Sequence, residues 1–209
     1  MKVALIGSAG NIGSRILQEA LNRGHEVTAI WHAKEPPLDR PKLTKKKGDV
    51  HDPEALAQIL AGHDAVIASY NLSLPKGPEG ARSIVEAVRK SGVKRLLWVG
   101  GAGTMDATPG TAVVDMPSFP AEVRPHALPM RDFYNEVLKN ETVFDWTFFG
   151  PAVIIQAGER TGKFRVQADL ILQGSDGGPS RISYEDYAVA MVDELEKPSH
   201  TGKRFTIAY

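Results

Sequence analysis

Lys2-Val3-Ala4-Leu5-Ile6-Gly7-Ser8-Ala9-Gly10-Asn11-Ile12-Gly13 stands at the start of the chain, and its reading decides the fold. Lys2 to Ile6 is a short, mostly apolar run of the kind that makes a buried strand. Gly7 to Gly13 is a G-x-x-G-x-x-G turn. Beyond it Ile12, Ile16, Leu17, Ala20 and Leu21 recur at helical spacing, and Gly24 stands where a helix exits. A glycine turn set between a strand and a helix is the arrangement that binds dinucleotides.

Each of these glycines answers a mechanical need. Gly7 lets the chain turn sharply off the strand, Gly10 clears the backbone for a pyrophosphate, and Gly13 lets the helix pack on the sheet. The free N–H groups at the helix start, with the positive end of its dipole, face the phosphates. Gly7, Ser8, Ala9, Gly10, Asn11 and Ile12 are therefore the expected cofactor cradle.

His25 to Trp31 is rich in β-branched residues and reads as the second strand. A site that prefers NAD commonly carries an acid there, about 20 residues beyond the glycines. Here the chain reads Trp31-His32-Ala33-Lys34, with no acid before Glu35. His32 and Lys34, with Arg40 further on, attract a 2′-phosphate that a carboxylate repels. NADP is thus expected ahead of NAD. The competing reading is a solvated basic loop, opened by Pro36-Pro37.

The 209 residues suffice for one sizeable α/β core, so a single domain over 1–209 is expected. Lys plus Arg equals Asp plus Glu at 25 each, which gives no charge-based case for nucleic acid or an anionic membrane. Cysteine is absent, which removes disulfides and thiolate metal sites and agrees with a cytoplasmic location. The first strand leaves no room for a signal peptide, and the apolar stretch Trp146 to Gly158 is too short to span a bilayer.

Strands and helices continue to alternate. Leu43 to Lys47 is a weak strand whose three lysines suit an edge. Asp52-Pro53-Glu54 starts a helix with an acidic cap and a proline in the first turn. Asp49 and Val50 precede it, where an adenine is met; a turn aspartate and a core valine are the other reading. Asp64 to Ser69 is a buried strand with Tyr70-Asn71 at its carboxyl end, the end where open parallel sheets bind ligands. Gly77 to Ser91 is helical, Val93 to Val99 is the fifth strand, and Gly100-Gly101-Ala102-Gly103-Thr104 is a second glycine turn that lets a flat ring approach the backbone.

From Thr104 to Pro129 the pattern breaks, and no regular element is expected before about Met130; loops this long are commonly lids or binding loops. Met130 to Lys139 reads as helix and Phe144 to Phe149 as a sixth strand. Gly162 to Val166 and Leu170 to Leu172 read as short strands of an appended cap. A last helix starts at Ile182 to Asp186, and Arg204 to Ala208 closes the sheet. The whole is an α/β chain, a Rossmann-like doubly wound parallel sheet with a small C-terminal substrate-side cap, its cap elements within about 104–130 and 150–182.

With these residues in view the chain resembles the atypical short-chain dehydrogenase/reductases. It is most similar to the NAD(P)H-binding proteins related to NADH–flavin reductases, and to the biliverdin-IXβ reductase group. The resemblance rests on Ile6 to Gly13, Gly48-Asp49-Val50, Val99 to Gly103, Gly150-Pro151 and Gly178 to Ser183. It implies an extended NADP or NAD, with the nicotinamide near Gly100, Gly101 and Ala102 and near Pro151, Ala152 and Val153. A flavin-type substrate would stack on it beneath residues 104–129. Asp49, Val50, Ser69, Tyr70 and Asn71 join the implied cofactor contacts. Relatives often grip the 2′-phosphate with an arginine after the second strand, and this chain has His32 there.

Many members of the wider superfamily use a tyrosine and a lysine four residues later. Here Leu138, Ala188 and Met191 follow Tyr134, Tyr184 and Tyr187 at that distance, and Lys139 is rotated about 140° around a helix from Tyr134. Reduction of a conjugated acceptor survives this loss, because hydride transfer needs mostly alignment and the acceptor takes its proton from water. Thr104 is the candidate catalytic side chain, with Ser118, His126 and Tyr134 as alternatives. No histidine spacing marks a metal site, and the glycine turn lacks the lysine of a P-loop. Two functions follow: an NAD(P)H-dependent reductase of a flavin or similar small molecule, or a non-catalytic NAD(P)-binding redox sensor.

Overall fold

Val3 and Leu5 point to one face of a sheet and Ala4 and Ile6 to the other, and all four are buried, so the first strand sits inside a two-faced core. The computed structural model describes residues Met1–Tyr209. In chain order the elements are β1 (Lys2–Ile6), α1 (Asn11–Asn22), β2 (Glu26–Trp31), β3 (Leu43–Lys47), α2 (Pro53–Leu60), β4 (Ala65–Ala68), α3 (Gly77–Ser91) and β5 (Arg95–Val99). There follow β6 (Asp106–Thr108), β7 (Thr111–Ala112), α4 (Arg124–Glu136), β8 (Asp145–Gly150), β9 (Ile154–Gln156), β10 (Arg165–Ala168), β11 (Arg181–Ser183), α5 (Tyr184–Glu196) and β12 (Lys203–Ala208).

Eight strands form the main sheet in the order β10-β12-β8-β5-β4-β1-β2-β3. All neighbours are parallel except β10, which runs antiparallel to β12. Strand order reverses between β1 and β4, so the carboxyl ends of these two strands flank the switch-point crevice of a doubly wound fold. One face of the sheet packs on α1 and α5 through Ile16, Leu17, Met191 and Val192. The other packs on α2, α3 and α4 through Leu56, Ile84, Val88 and Phe133. The lysine-rich β3 is an edge strand, as its composition predicts.

Three expectations are corrected. The helix expected from Met130 begins at Arg124. Pro125 lies in its first turn, where a missing N–H removes no helical bond, and the helix runs on past Pro129. Residues 104–129 also hold the β6–β7 hairpin and are tied down by Arg124, whose guanidinium donates to the carbonyls of Val114 (2.6 Å), Met116 (3.0 Å) and Phe119 (3.2 Å). The strand expected at Gly162 to Val166 forms at Arg165–Ala168 and extends the main sheet. Leu170 to Leu172 forms no strand, and only Leu170 makes a bridge, to Asp106. The small C-terminal cap is instead the parallel pair β9–β11, which follows β8 beyond its carboxyl end.

Candidate functional site

The glycine turn is built by close contact. Gly7 has φ +79°, and a Cβ there would stand 1.9 Å from the Ser69 carbonyl oxygen, so the residue is required by both its backbone and its neighbour. A Cβ on Gly13 would stand 2.1 Å from the Gly7 oxygen, which seats α1 directly on the turn. Gly10 differs, since its added Cβ would meet nothing closer than the Gly7 oxygen at 3.5 Å. Gly10 also starts α1 with no side chain capping it, leaving the N–H groups of the first turn to an outside acceptor.

In front of this turn lies a cleft of about 530 Å³ walled by the carboxyl ends of β1, β2, β3 and β4. It brings together Gly7, Ser8, Ala9 and Gly10 with His32, Lys34, Asp49, Val50, Ser69, Tyr70 and Asn71. Ser8 contributes backbone only, because its hydroxyl is buried and donates to the Ile30 carbonyl at 3.4 Å. Asn11 and Ile12 open α1 beside the cleft without lining it. Gly48, named with Asp49 and Val50 in the sequence, lines it too, as do Trp31, His51, Leu74 and Pro75, which sequence reasoning did not assign to the site. Each lies within four residues of a residue that was singled out, which is the only signal they offered.

The rim near His32 is basic. Glu35, the nearest acid in the chain, is held by Lys45 at 3.2 Å and is not part of the lining. Lys47 lies 5.7 Å above the Trp31 ring. Arg40 turns away to donate to Asn22 at 2.7 Å. Asp49 folds back on its own loop, accepting from the His51 N–H at 2.9 Å. Tyr70 packs over Gly80; burial first, then the charges of Asp49 and Glu79, push its phenol pKa up, so it stays a proton-bearing donor at neutral pH.

The second glycine turn and Pro151, Ala152 and Val153 stand outside this cleft, at the carboxyl ends of β5 and β8. Gly100 is required because a Cβ there would enter the Phe148 ring at 2.3 Å. Gly101 faces Met130 of α4, and Ala102 opens a single 3-10 turn ending at Thr104. Pro151 and Ala152 are buried, whereas Val153 is 49% exposed.

Thr104 is 1% exposed, and its hydroxyl is buried without a hydrogen-bond partner. Ser118 and His126 are exposed on the facing segment, and the His126 carbonyl accepts from Ser73 at 2.9 Å. Tyr134 is buried against Trp146 and Phe148, and burial raises its pKa. Lys139 lies beyond the end of α4, in a separate turn. Tyr187 is fully buried and donates to the Phe149 carbonyl at 2.5 Å. No three His, Asp or Glu side chains gather as metal ligands would.

The profile of the NAD(P)H-binding family matches residues 7–198. YwnB of Bacillus subtilis, an uncharacterized protein, is 35% identical over 213 residues, which cover 99% of this chain and 98% of YwnB. A crystal structure from Bacteroides thetaiotaomicron, given the working name of epimerase, superposes with a TM-score of 0.93 at 40% identity, covering 100% of this chain and 96% of the other. Another from Streptococcus pneumoniae, provisionally named an NADH-flavin reductase, has a TM-score of 0.87 at 36% identity, covering 100% and 99%.

Proposed function

The chain belongs to the NAD(P)H-binding family, and on that premise we propose that it is an NAD(P)H-dependent oxidoreductase passing hydride to a flavin or similar conjugated small molecule, with NADP its preferred cofactor. The observation that carries this reading is the cleft at the strand-order switch point, floored by an uncapped helix start and rimmed at the end of β2 by His32 and Lys34, where Glu35 is drawn off by Lys45 and the one lining carboxylate, Asp49, accepts from its own loop. The Streptococcus pneumoniae relative, provisionally named an NADH-flavin reductase, supports the same reaction class.

The fit of a dinucleotide rests on the turn itself. Gly10 leaves open the space that a phosphate needs, while Gly7 and Gly13 leave none for anything but backbone. In this reading the first-turn N–H groups of α1 hold the pyrophosphate. His32 and Lys34 bind the 2′-phosphate, Asp49 and Val50 meet the adenine, and Ser69, Tyr70 and Asn71 lead toward the ring end. There Gly100, Gly101, Ala102, Pro151, Ala152 and Val153 flank the nicotinamide, which supplies the hydride when bound. The chain's own part is alignment and exclusion of water. With no Tyr-x-x-x-Lys pair and Thr104 buried, the acceptor takes its proton from solvent.

That missing pair also separates the candidate reactions. Epimerisation that proceeds by oxidising a hydroxyl needs a base on that hydroxyl, so the working name of the Bacteroides relative fits these residues less well than reduction does. The same gap favours one second reading, a redox sensor that binds NAD(P) without turnover. Steady-state oxidation of NADPH and NADH against flavin, quinone and tetrapyrrole acceptors tests both. Saturable oxidation above the uncatalysed rate, more efficient with NADPH, is expected. Tight cofactor binding with no acceptor reduced would replace the reductase by the sensor.

A further inference from the structure

We propose that Arg204 is a positioning residue for hydride transfer, which sets the Gly100–Thr104 turn at the ring end of the site while leaving the adenosine end untouched. This rests on the reductase reading above. Arg204 enters from β12, in register with Phe148 of β8, whose ring packs against Gly100. Its side chain is only 11% exposed, and its three nitrogens each have a partner. Nη1 donates to the Thr104 carbonyl at 2.6 Å and Nε to Asp169 at 3.2 Å, while Nη2 forms an ion pair with the Asp106 carboxylate at 2.7 Å. The guanidinium also lies 5.1 Å over the Tyr134 ring.

These contacts converge on one stretch of backbone. Thr104 and Asp106 are gripped by two arms of the same fork, and Met105 between them is fully buried against Gly150. Asp106 is further fixed by the Gly110 N–H at 3.0 Å and by main-chain bonds with Asp169 and Ile171. The turn that begins at Gly100 is closed by Thr104 N–H to Gly101 and Met105 N–H to Ala102. Its far end is thus anchored through Arg204, from a strand that contributes nothing to the cleft in front of Gly7. A lysine would offer the carbonyl and the carboxylate one compact ammonium in place of a planar fork, and so would hold the two less rigidly.

The experiment compares wild type with Arg204→Met and Arg204→Lys. Three quantities are read: the affinity for 2′,5′-ADP, which reports the adenosine end alone, single-turnover hydride transfer from saturating NADPH to FMN, and hydrogen exchange of peptides across residues 100–106. Arg204→Met should bind 2′,5′-ADP within about twofold of wild type, exchange the 100–106 amides faster, and transfer hydride at least about tenfold more slowly, since a misplacement on the order of 1 Å has that effect. Arg204→Lys should recover part of the rate. Wild-type transfer rates in folded Arg204→Met, unchanged exchange at 100–106, or parallel loss of 2′,5′-ADP binding would each overturn the proposal. If wild type reduces no acceptor, the reductase reading fails by itself, and hydride transfer drops out while the exchange comparison still decides whether Arg204 holds the turn.

Discussion

Replacing Gly10 by alanine separates folding from binding more cleanly than any other change in the chain. Gly10 has φ −74° and ψ 170°, an extended conformation open to every residue. Its new methyl would make only an ordinary contact, 3.5 Å from the Gly7 oxygen. Exchanging a glycine N-cap for alanine costs about 0.5–1 kcal/mol, and the stiffer unfolded chain returns a similar amount, so stability should move by less than about 1 kcal/mol. In the proposed cradle the methyl would nevertheless stand where the pyrophosphate approaches the helix start. Holding a phosphate off its N–H donors removes a charge-assisted bond of about 1.5–3 kcal/mol, or roughly 10- to 100-fold in Kd. Gly13→Ala is the contrast, since its methyl would stand 2.1 Å from the Gly7 oxygen and must move backbone, at a cost of about 1–3 kcal/mol. Urea unfolding and NADPH fluorescence titration on the same samples read both quantities. Gly10→Ala that is folded and binds NADPH within about twofold of wild type would refute the cradle.

Three further outcomes follow from the geometry. Joint replacement of His32 and Lys34 by alanine should weaken NADPH by about tenfold, leave NADH within about twofold, and flatten the salt dependence of NADPH binding; equal losses for both cofactors would remove these residues from the 2′-phosphate. Glu194→Ala should lose about 3–5 kcal/mol in urea unfolding, because Arg95 is 8% exposed, pairs with Glu194 at 2.9 Å, and has two other nitrogens without partners; a loss below about 1 kcal/mol would contradict that. Glu19 is held below the usual carboxylate range by hydrogen bonds from Arg160 first and Arg23 second, against the opposing effect of burial. A depressed carboxylate stabilises the fold above its unfolded pKa and loses that contribution as pH falls through the folded one. Wild type should therefore lose stability more steeply than Arg160→Gln below about pH 4.5, and identical acid limbs would count against the pairing.

Local signals carried most of the fold. The β1–α1 unit was legible because Gly7, Gly10 and Gly13 do their work within seven residues of one another, and α3 was legible from Gly77 to Ser91 because its apolar face and its glycine exit agree. The start of α4 was hidden by Pro125 and Pro129, which read as breaks although the first of them suits a helix's first turn. Nothing in Arg165–Ala168 told a cap strand from an antiparallel edge of the main sheet, since the choice depends on β12, nearly forty residues away. The cleft lining was legible where it lies at the ends of consecutive strands. The burial of Thr104 was not legible, because sequence shows which residue follows a turn but not which way its hydroxyl points. The Arg204–Asp106–Asp169 cluster joins three distant segments of chain and left no sequence signal at all.

The most direct test of the account is a single turnover under anaerobic conditions, in which the preformed complex with NADPH is mixed with increasing FMN and nicotinamide absorbance is followed. The account predicts a decay whose rate saturates with FMN in wild type, and which in Gly10→Ala requires more NADPH to reach the same limit. A bound cofactor that stays reduced at every FMN concentration, or decays only at the rate seen without protein, would contradict it.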